Sequence, residues 1–592
     1  MKIQQHDHTN DPAGENSIVV LPFRNISSDV ENEYFSDGIT EEIINALTKV
    51  NGLSVIARTS AFRFKGLDMD LREVGTQLNV AYVLEGSVRK AGNRVRVTAQ
   101  LVKATDGFHV FSETYDRELQ DIFDVQDDIS NKIAQKFAAS IGIGKKELNL
   151  VGSSTGSMEA YELYLKGRFN LSKGSLEAAR AAIQYFEAAL LKDKHFVLAL
   201  AGLAACYTFL GGSGLMSASE AFNKARDYAA KTNLLDEHIA ETHLALANSY
   251  FWTDWDFEQT ARSVKRAIQL SPGTASIRGF NAIFLMAAGK KDEALIEAQL
   301  ATKLDPLSLK ERFHLAELFY RSGRYVEALD LFDEILAENQ YFKEASILKA
   351  WGHLFMGEHE MAIRIFRNIP LTSDTDLCFY GGLACCYRKL GQVQKILECL
   401  KDLKSAIERG YSNWVGYHYA LIFLALDEKE KMFQQLEKCL EEKITPLIFI
   451  QVDPVWDELK SDPRFNTLVE NKFFPEKKGS MVTIRTDTRE TFEINLNQLV
   501  FIEAQENYSR FVWLKGDQVN EKILRVTLKK IEDQIVRENI IRCHRSFIIN
   551  VHFPFTIHGN SNGYRLTSKL FRDVIPISRG HGKEIVAKLK SR

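Results

Sequence analysis

The amino-acid sequence predicts a multidomain chain: an α/β amino-terminal domain, an all-α solenoid and a mostly-β carboxy-terminal domain. An apolar run at 17–23, followed by an amphipathic stretch at 37–50, is typical of a buried strand and a helix packed on it. Glycines recur every 34 residues in the middle of the chain. Beyond residue 479, short apolar runs alternate with turn residues, which favours a sheet. The predicted boundaries are 17–142, 158–473 and 479–592.

The composition is that of ordinary globular material. The chain has 592 residues, of which 45% are apolar and 26% are charged, and this length exceeds one hydrophobic core. No apolar run approaches the about 20 residues that a membrane-spanning helix needs, and the amino terminus lacks the apolar stretch of a signal peptide. Seven cysteines without C-x-x-C spacing predict neither a disulfide framework nor a zinc site. We therefore expect a cytoplasmic protein without a membrane span, a metal or a cofactor.

The first domain is predicted to be an α/β unit. Asp37 is the expected N-cap of the helix at 37–50, because a short polar side chain can bond the free N–H groups of the first turn. Residues 82–90 and 94–103 alternate in polarity around a Gly-Asn turn, which predicts a hairpin. A helix at about 122–139 is expected to close the unit.

Three segments of this domain resemble the TolB-like amino-terminal domain that bacterial regulators place ahead of tetratricopeptide arrays. They are Val-Leu-Pro-Phe at 20–23, Tyr-Phe-Ser-Asp-Gly-Ile-Thr-Glu-Glu at 34–42 and Tyr-Val-Leu-Glu-Gly-Ser-Val-Arg at 82–89. The resemblance implies the fold but no defined biochemical role. A receiver domain would need acidic residues at its strand ends, and Pro22 and Phe23 stand at the end of the first strand. We therefore expect no phosphorylation switch.

The middle of the chain repeats a helix–turn–helix unit. Gly289, Gly323, Gly357 and Gly391 are each 34 residues apart, which is the period of tetratricopeptide repeats. Glycine suits the tight turn within a helix pair. Alanines at 294, 328 and 362 keep the same step and let neighbouring helices approach closely. Such an array forms a solenoid with a concave groove, in which we expect a protein or peptide partner.

The charge distribution separates the carboxy-terminal domain from the rest of the chain. Residues 479–592 contain 19 Lys and Arg against 12 Asp and Glu, a net charge of +7 within a chain whose total is −3. The other 478 residues therefore carry −10. A basic end on an acidic body indicates a polyanionic partner for that end.

Four segments, in this order, resemble the LytTR-type DNA-binding domain of bacterial transcription regulators. They are Phe-Ile-Glu-Ala-x-x-Asn-Tyr at 501–508, Leu-Arg-Val-Thr-Leu-Lys-Lys-Ile-Glu at 524–532, Arg-Cys-His-Arg-Ser-Phe-Ile-Ile-Asn at 542–550 and Ile-Pro-Ile-Ser-Arg at 575–579. The resemblance implies a mostly-β fold that reads duplex DNA through loops. We expect a strand at 542–551 and a helix at 527–537.

By this resemblance, Arg545 and Arg579 are the foremost DNA contacts. An arginine fork can bond the O6 and N7 atoms of guanine together. Two of the further candidates have structural alternatives, since His544 also suits a histidine that stabilises the loop, and Tyr508 also suits a strand end. The further candidates are Asn507, Tyr508, His544 and Ser546 for the loops, and Lys583 and Lys588 for phosphates.

No motif in the sequence predicts an enzyme. The glycine-rich turn at 210–215 lacks the preceding strand and the Lys-Ser/Thr pair of a phosphate loop. We therefore expect a transcription regulator without catalytic activity. Three loops of one domain can read only a short site, so we also expect a homodimer on paired half-sites. Two alternatives stay open: a scaffold whose basic end meets acidic partners, and an RNA binder.

Overall fold

The computed structural model describes most of the chain. The described residues are 14–27, 29, 32–141, 155–369, 378–408, 414–473, 481–488, 490–496, 498–515, 518–535, 539–551, 553, 555–560, 563–568, 570–578, 582, 585–586 and 589. Contacts divide the chain into two compact units, one up to Glu458 and one from Leu459 onward. Within the described ranges, no helix has both the length and the apolar character that crossing a bilayer requires.

The first unit begins with a mixed sheet. Its strands are β1 (Ser17–Val20), β2 (Arg24–Asn25), β3 (Ser54–Val55), β4 (Tyr82–Ala91), β5 (Arg94–Lys103) and β6 (His109–Glu118). The order is β3-β1-β4-β5-β6, with β2 beside β4. All four residues of β1 are buried, as the apolar run predicts. The hairpin predicted from the alternation in polarity is confirmed as β4 and β5.

The α-helices described beside this sheet are α1 (Glu33–Thr48), α2 (Arg58–Ala61), α3 (Leu71–Gln77) and α4 (Ile122–Ile141). The N-cap predicted at Asp37 is wrong, because α1 begins one turn earlier, where Phe35 enters the core. Asp37 lies inside the helix and accepts a hydrogen bond from Lys65 Nζ at 2.6 Å.

A solenoid of paired helices follows. The helices are α5 (Met158–Leu171), α6 (Leu176–Lys192), α7 (Val197–Gly212), α8 (Ala218–Leu235), α9 (Ala240–Ser249), α10 (Phe257–Leu270), α11 (Ala275–Ala287), α12 (Lys291–Leu304), α13 (Leu309–Arg321), α14 (Tyr325–Glu338), α15 (Lys343–Phe355), α16 (His359–Arg367), α17 (Cys378–Lys389), α18 (Val393–Glu408), α19 (Val415–Ala425) and α20 (Lys429–Glu441). The four glycines of the 34-residue step each follow the first helix of a pair with φ between 68° and 84°. That left-handed conformation explains why glycine stands there.

The sheet and the first repeats share one hydrophobic core, to which α1, α4, α5, α6 and α7 contribute. Gly38 allows α1 to lie close to α5, since a Cβ there would come within 2.6 Å of Leu165 Cδ2. Beside it, Glu41 forms ion pairs with Arg168 of α5 and Arg58. The segment at 34–42 therefore docks the amino-terminal sheet on the solenoid.

The sheet domain also touches three further turns or helix ends of the solenoid. Thr48 O accepts a hydrogen bond from Gly273 N at 3.0 Å, in the turn between α10 and α11. The Ser60 hydroxyl donates to Asp305 Oδ1 at 2.6 Å, in the turn between α12 and α13. Arg63 pairs with Glu338 at the end of α14. One domain thus bridges successive repeats.

The second unit is β-rich. It contains α21 (Pro463–Phe473), β7 (Met481–Arg485), β8 (Thr491–Asn495), β9 (Leu499–Gln505), β10 (Tyr508–Lys515), β11 (Gln518–Leu524), α22 (Leu528–Glu532), β12 (Ile540–His544), β13 (Phe547–Asn550), β14 (Thr556–Asn560), β15 (Gly563–Thr567) and β16 (Ile575–Ile577). Three sheets have the orders β11-β10-β9-β13-β12, β14-β15-β16 and β7-β8. The predicted helix at 527–537 is shorter than expected, and residues 536–537 of that prediction lie outside the described ranges.

Candidate nucleic-acid interface

The stretch predicted as one strand at 542–551 is two strands, β12 and β13, joined by a turn at Arg545 and Ser546. The physical reason is burial at both strand ends. Cys543 is completely buried and Phe547 is 8% exposed, so the two positions enter the core and the polar pair between them is left outside. The pairing register shifts between Arg542 and His544, which marks a bulge. Arg545 therefore stands at the tip of a hairpin.

Arg542 holds this turn in place. Its Nη2 donates to the carbonyl oxygen of Arg545 at 2.7 Å, and its Nε donates to that of His544 at 3.3 Å. Its third nitrogen pairs with Glu532, the last residue of α22. The partners in all these contacts belong to this chain, so the Arg542 side chain positions the turn. Sequence reasoning missed this role, because it depends on a carboxylate ten residues away and on main-chain oxygens.

Arg545 has a different environment. The residue is exposed, and in the described part of the chain its guanidinium has neither a hydrogen bond nor an ion pair. A partner outside the chain can therefore use its full set of donors. Arg542, three residues earlier, differs in that its guanidinium bonds the protein's own main chain and Glu532.

His544 is tied to the same turn. The backbone N–H of Ser546 donates to His544 Nδ1 at 3.3 Å, so Nδ1 accepts and Nε2 carries the proton in the neutral ring. Partial burial and the positive charges of Arg545 and Arg542 lower the pKa of His544 below its usual value. The loop-stabilising alternative is thus observed, and a donor at Nε2 remains.

Two backbone hydrogen bonds bring the predicted loops together. Ala504 N, near the end of β9, donates to Ser546 O at 2.8 Å. Ser578 N, directly after β16, donates to Cys543 O at 2.8 Å. The β9–β10 turn that carries Asn507, the Arg545 turn and the residue before Arg579 therefore lie side by side. Asn507 and Tyr508 are both exposed, Tyr508 at 44%.

The remaining predicted contacts, Arg579, Lys583 and Lys588, lie outside the described residues. Nearby positions of the same segment are described: Ile585, Val586 and Leu589 belong to the core cluster that also contains Cys543 and Leu566. These three side chains are therefore part of the core of this unit.

Arg510 organises the acidic side chains near the first loop. Its guanidinium pairs with Glu503 of β9, Glu521 of β11 and Asp573. These carboxylates are thereby partly neutralised, which reduces their repulsion of a phosphate backbone. Glu506 is different: it lies in the exposed β9–β10 turn with φ 56°, and it forms no ion pair among the described residues.

The described residues contain no arrangement of side chains that suits metal binding or thiol chemistry. No group of three or more His, Cys, Asp or Glu side chains there could hold a metal ion. Cys543 is buried beneath the Arg545 turn, and its burial raises the thiol pKa to about 12. A thiol with that pKa stays protonated near pH 7 and is a poor nucleophile.

Comparison with known proteins agrees with this geometry. Residues 489–590 match the family described as the LytTr DNA-binding domain, and residues 14–132 match the second domain of the HilA/YgeH-like transcriptional regulators. The fold and the site thus define a chain that joins a LytTR-type DNA-binding domain to a helical-repeat module. The match over residues 14–132 is to a domain of HilA/YgeH-like regulators. That match does not name a TolB-like domain, so the TolB-like resemblance stays a prediction.

Individual relatives resemble parts of the chain. The Putative adenylate cyclase 3 of Rhizobium meliloti (strain 1021) is 47% identical over 171 residues, which are 28% of each chain, so the match spans little more than a quarter of that relative. The transcriptional regulator HilA of Salmonella typhimurium is 22% identical over 392 residues, 64% of this chain and 68% of HilA. A solved tetratricopeptide repeat protein from Parabacteroides merdae is 16% identical, with a TM-score of 0.33, over 46% of this chain and 100% of that one.

Proposed function

We propose that this chain is a transcription regulator that binds duplex DNA sequence-specifically through the Arg545 turn and its two neighbouring loops. One observation supports the proposal: the hydrogen bonds Ala504–Ser546 and Ser578–Cys543 bring the end of β9, the Arg545 turn and Ser578, the residue before Arg579, together in a LytTR-type domain. The net charge of +7 on residues 479–592 suits a polyanionic partner.

Roles follow from side-chain chemistry. Arg545, whose guanidinium has no partner among the described residues, is assigned to a guanine edge, and Arg579 is assigned the same role on its own loop. Asn507 suits an adenine edge, and Tyr508, His544 Nε2 and the Ser546 hydroxyl are assigned to supporting contacts in the groove or at the backbone. Lys583 and Lys588 are assigned to phosphates.

The test is selection of bound sequences from a random duplex pool with the full chain. Wild type should enrich one motif, and Arg545→Ala should cost about 1–3 kcal/mol on that motif and relax its sequence preference. Arg485→Ala is a charge-matched control, because Arg485 is an exposed arginine on the separate β7–β8 sheet. A scaffold would enrich nothing. Equal preference for single-stranded RNA would favour the RNA-binding alternative.

The proposal also covers the solenoid, the site of action and the stoichiometry on DNA. The solenoid serves as a protein-interaction or signal-input module, and the protein acts in the cytoplasm. Occupancy of two half-sites by a homodimer is proposed because one domain offers three short loops. Mass measurement of the full chain on a two-site duplex tests the stoichiometry, and one chain per duplex would contradict it.

We also propose that the chain has no catalytic activity of its own, although one relative carries a cyclase name. Both matched families are described in terms of DNA binding or transcription regulation. An assay for cyclic AMP formation from ATP with the full chain tests this, and product above the level of heat-denatured protein would contradict it.

A further inference from the structure

The residues after α20 return along the solenoid. We call residues 443–458 the return segment. Lys443 Nζ donates to the carbonyl oxygens of Asp254 and Thr253, at 2.9 and 3.3 Å, directly after α9. The 3-10 turn Thr445–Phe449 then packs against α11. The segment thus crosses successive repeats although it adds no helix pair to the array.

Arg321, in the last turn of α13, is the centre of this contact. Its guanidinium carbon lies 4.0 Å from the centroid of the Phe449 ring, a cation–π geometry. Its Nη1 donates to Asp453 Oδ2 at 2.8 Å, and its Nη2 to Glu317 at 2.8 Å. Arg321 is only 6% exposed, so the return segment supplies both a ring and a counter-charge to a buried cation.

Aromatic contacts extend the interface on both sides. Phe449 meets Trp252 edge-on, with 6.4 Å between ring centroids. Trp456 meets Tyr417 of α19 in the same way at 5.9 Å. Glu458 pairs with Arg388 of α17. The partners belong to α9 and its continuation, α11, α13, α17 and α19, which are all first helices of their pairs.

The first helices of such an array line its inner face, the surface that solenoids use for extended ligands. We infer that the inner face between α9 and α19 is a peptide-binding surface that this chain fills with its own residues 443–458. The external ligand it accepts is then a peptide of the same chemistry: an aromatic residue, a carboxylate four positions later, and an indole three positions beyond that.

An external peptide must compete with the return segment, which is covalently attached to the surface that it fills. A covalently attached segment has an effective concentration in the millimolar range, so a free peptide of equal intrinsic affinity displaces it poorly. The groove of the wild-type chain is therefore closed to weak ligands. A partner gains access only when it binds more tightly or when the return segment is weakened.

The experiment uses the full chain and a fluorescent synthetic peptide of residues 443–458. A triple variant, called the vacated chain, carries Phe449→Ala, Asp453→Ala and Trp456→Ala. These changes remove the side chains by which the return segment is held and leave the side chains of the solenoid that contact them intact. Fluorescence anisotropy should show at least about tenfold tighter peptide binding to the vacated chain than to wild type. Adding Arg321→Glu should abolish that gain. A folded vacated chain that binds no better than wild type would overturn the inference.

A second measurement covers the case in which the vacated chain does not fold. Asp453→Asn alone keeps the side-chain volume and removes the counter-charge of Arg321. Amide hydrogen exchange should become faster in residues 443–458, with α10, α12 and α14 still protected. Loss of protection throughout the solenoid would mean that the segment is core material and would overturn the inference. Neither readout involves DNA, so the result is independent of the proposed function.

Discussion

The Nη2 of Arg542 lies 2.7 Å from the carbonyl oxygen of Arg545, so one arginine holds the turn that presents the other. The Arg542 side chain donates hydrogen bonds to two main-chain oxygens and forms an ion pair with Glu532. A lysine ammonium carries the same charge but lacks the planar fork that spans these acceptors.

Arg542→Lys should therefore weaken binding to the preferred duplex about tenfold, because the turn loses its support while the net charge is unchanged. Binding to a shuffled duplex should stay within about twofold, since it depends on charge. Titrations of the full chain on both duplexes measure the two effects. Equal losses on both would show that Arg542 acts as a phosphate contact.

Glu506 places a negative charge in the exposed turn beside Asn507. Glu506→Gln should strengthen binding to a shuffled duplex by roughly two- to fivefold at low salt, because a charge that repels phosphate is removed. The gain should shrink at high salt, where such repulsion is screened. A selective loss on the preferred duplex would instead assign Glu506 to a cytosine amino group.

Arg168 carries the docking of the sheet on the solenoid, because its guanidinium faces Glu41 and lies near Glu42. Arg168→Met preserves much of the side-chain volume but leaves buried carboxylates without this counter-charge. The free energy of unfolding should fall by about 3–5 kcal/mol, measured by urea denaturation. Arg180→Met, at an exposed position of α6, is the matched control and should change it by less than about 0.5 kcal/mol.

His418 of α19 is 1% exposed, and neither ring nitrogen has a hydrogen-bond partner among the described residues. Burial lowers its pKa from 6.5 to about 3. Between these values the unfolded chain binds a proton that the folded chain does not, so stability falls as pH falls. The contribution is at most roughly 1.4 kcal/mol per pH unit.

His418→Leu should remove this contribution. The difference in unfolding free energy between variant and wild type, measured by denaturation at pH 7 and at pH 5, should shift in favour of the variant at pH 5. A difference that is independent of pH would show that the imidazole is solvated or paired in solution.

Local patterns predicted the elements well, and tertiary contacts account for the errors. The step between Gly289 and Gly323 predicts helix pairs because the left-handed turn is a property of one residue and its neighbours. Asp37 failed as a cap because the burial of Phe35 extends α1, and that burial depends on distant strands.

The candidate site shows the same division. The exposure of Arg545 follows from polar residues between apolar ones, and the resemblance placed it at a contact position. The contacts by which Arg542 holds the turn could not be predicted from the sequence, because an arginine in the same local sequence can face either DNA or the protein backbone. The Arg321–Asp453 pair joins residues 132 positions apart, and no local pattern carries that information.

Repeat arrays ordinarily behave as one-dimensional chains, in which each unit feels only its neighbours and can open by itself. Here the sheet domain is bonded through Thr48, Ser60 and Arg63 to turns and helix ends from α10 to α14. It acts as a splint across those repeats. Opening the array at one of these three points must break contacts with a body that also holds the other two, so the stretching of a free solenoid is suppressed over this part of the chain.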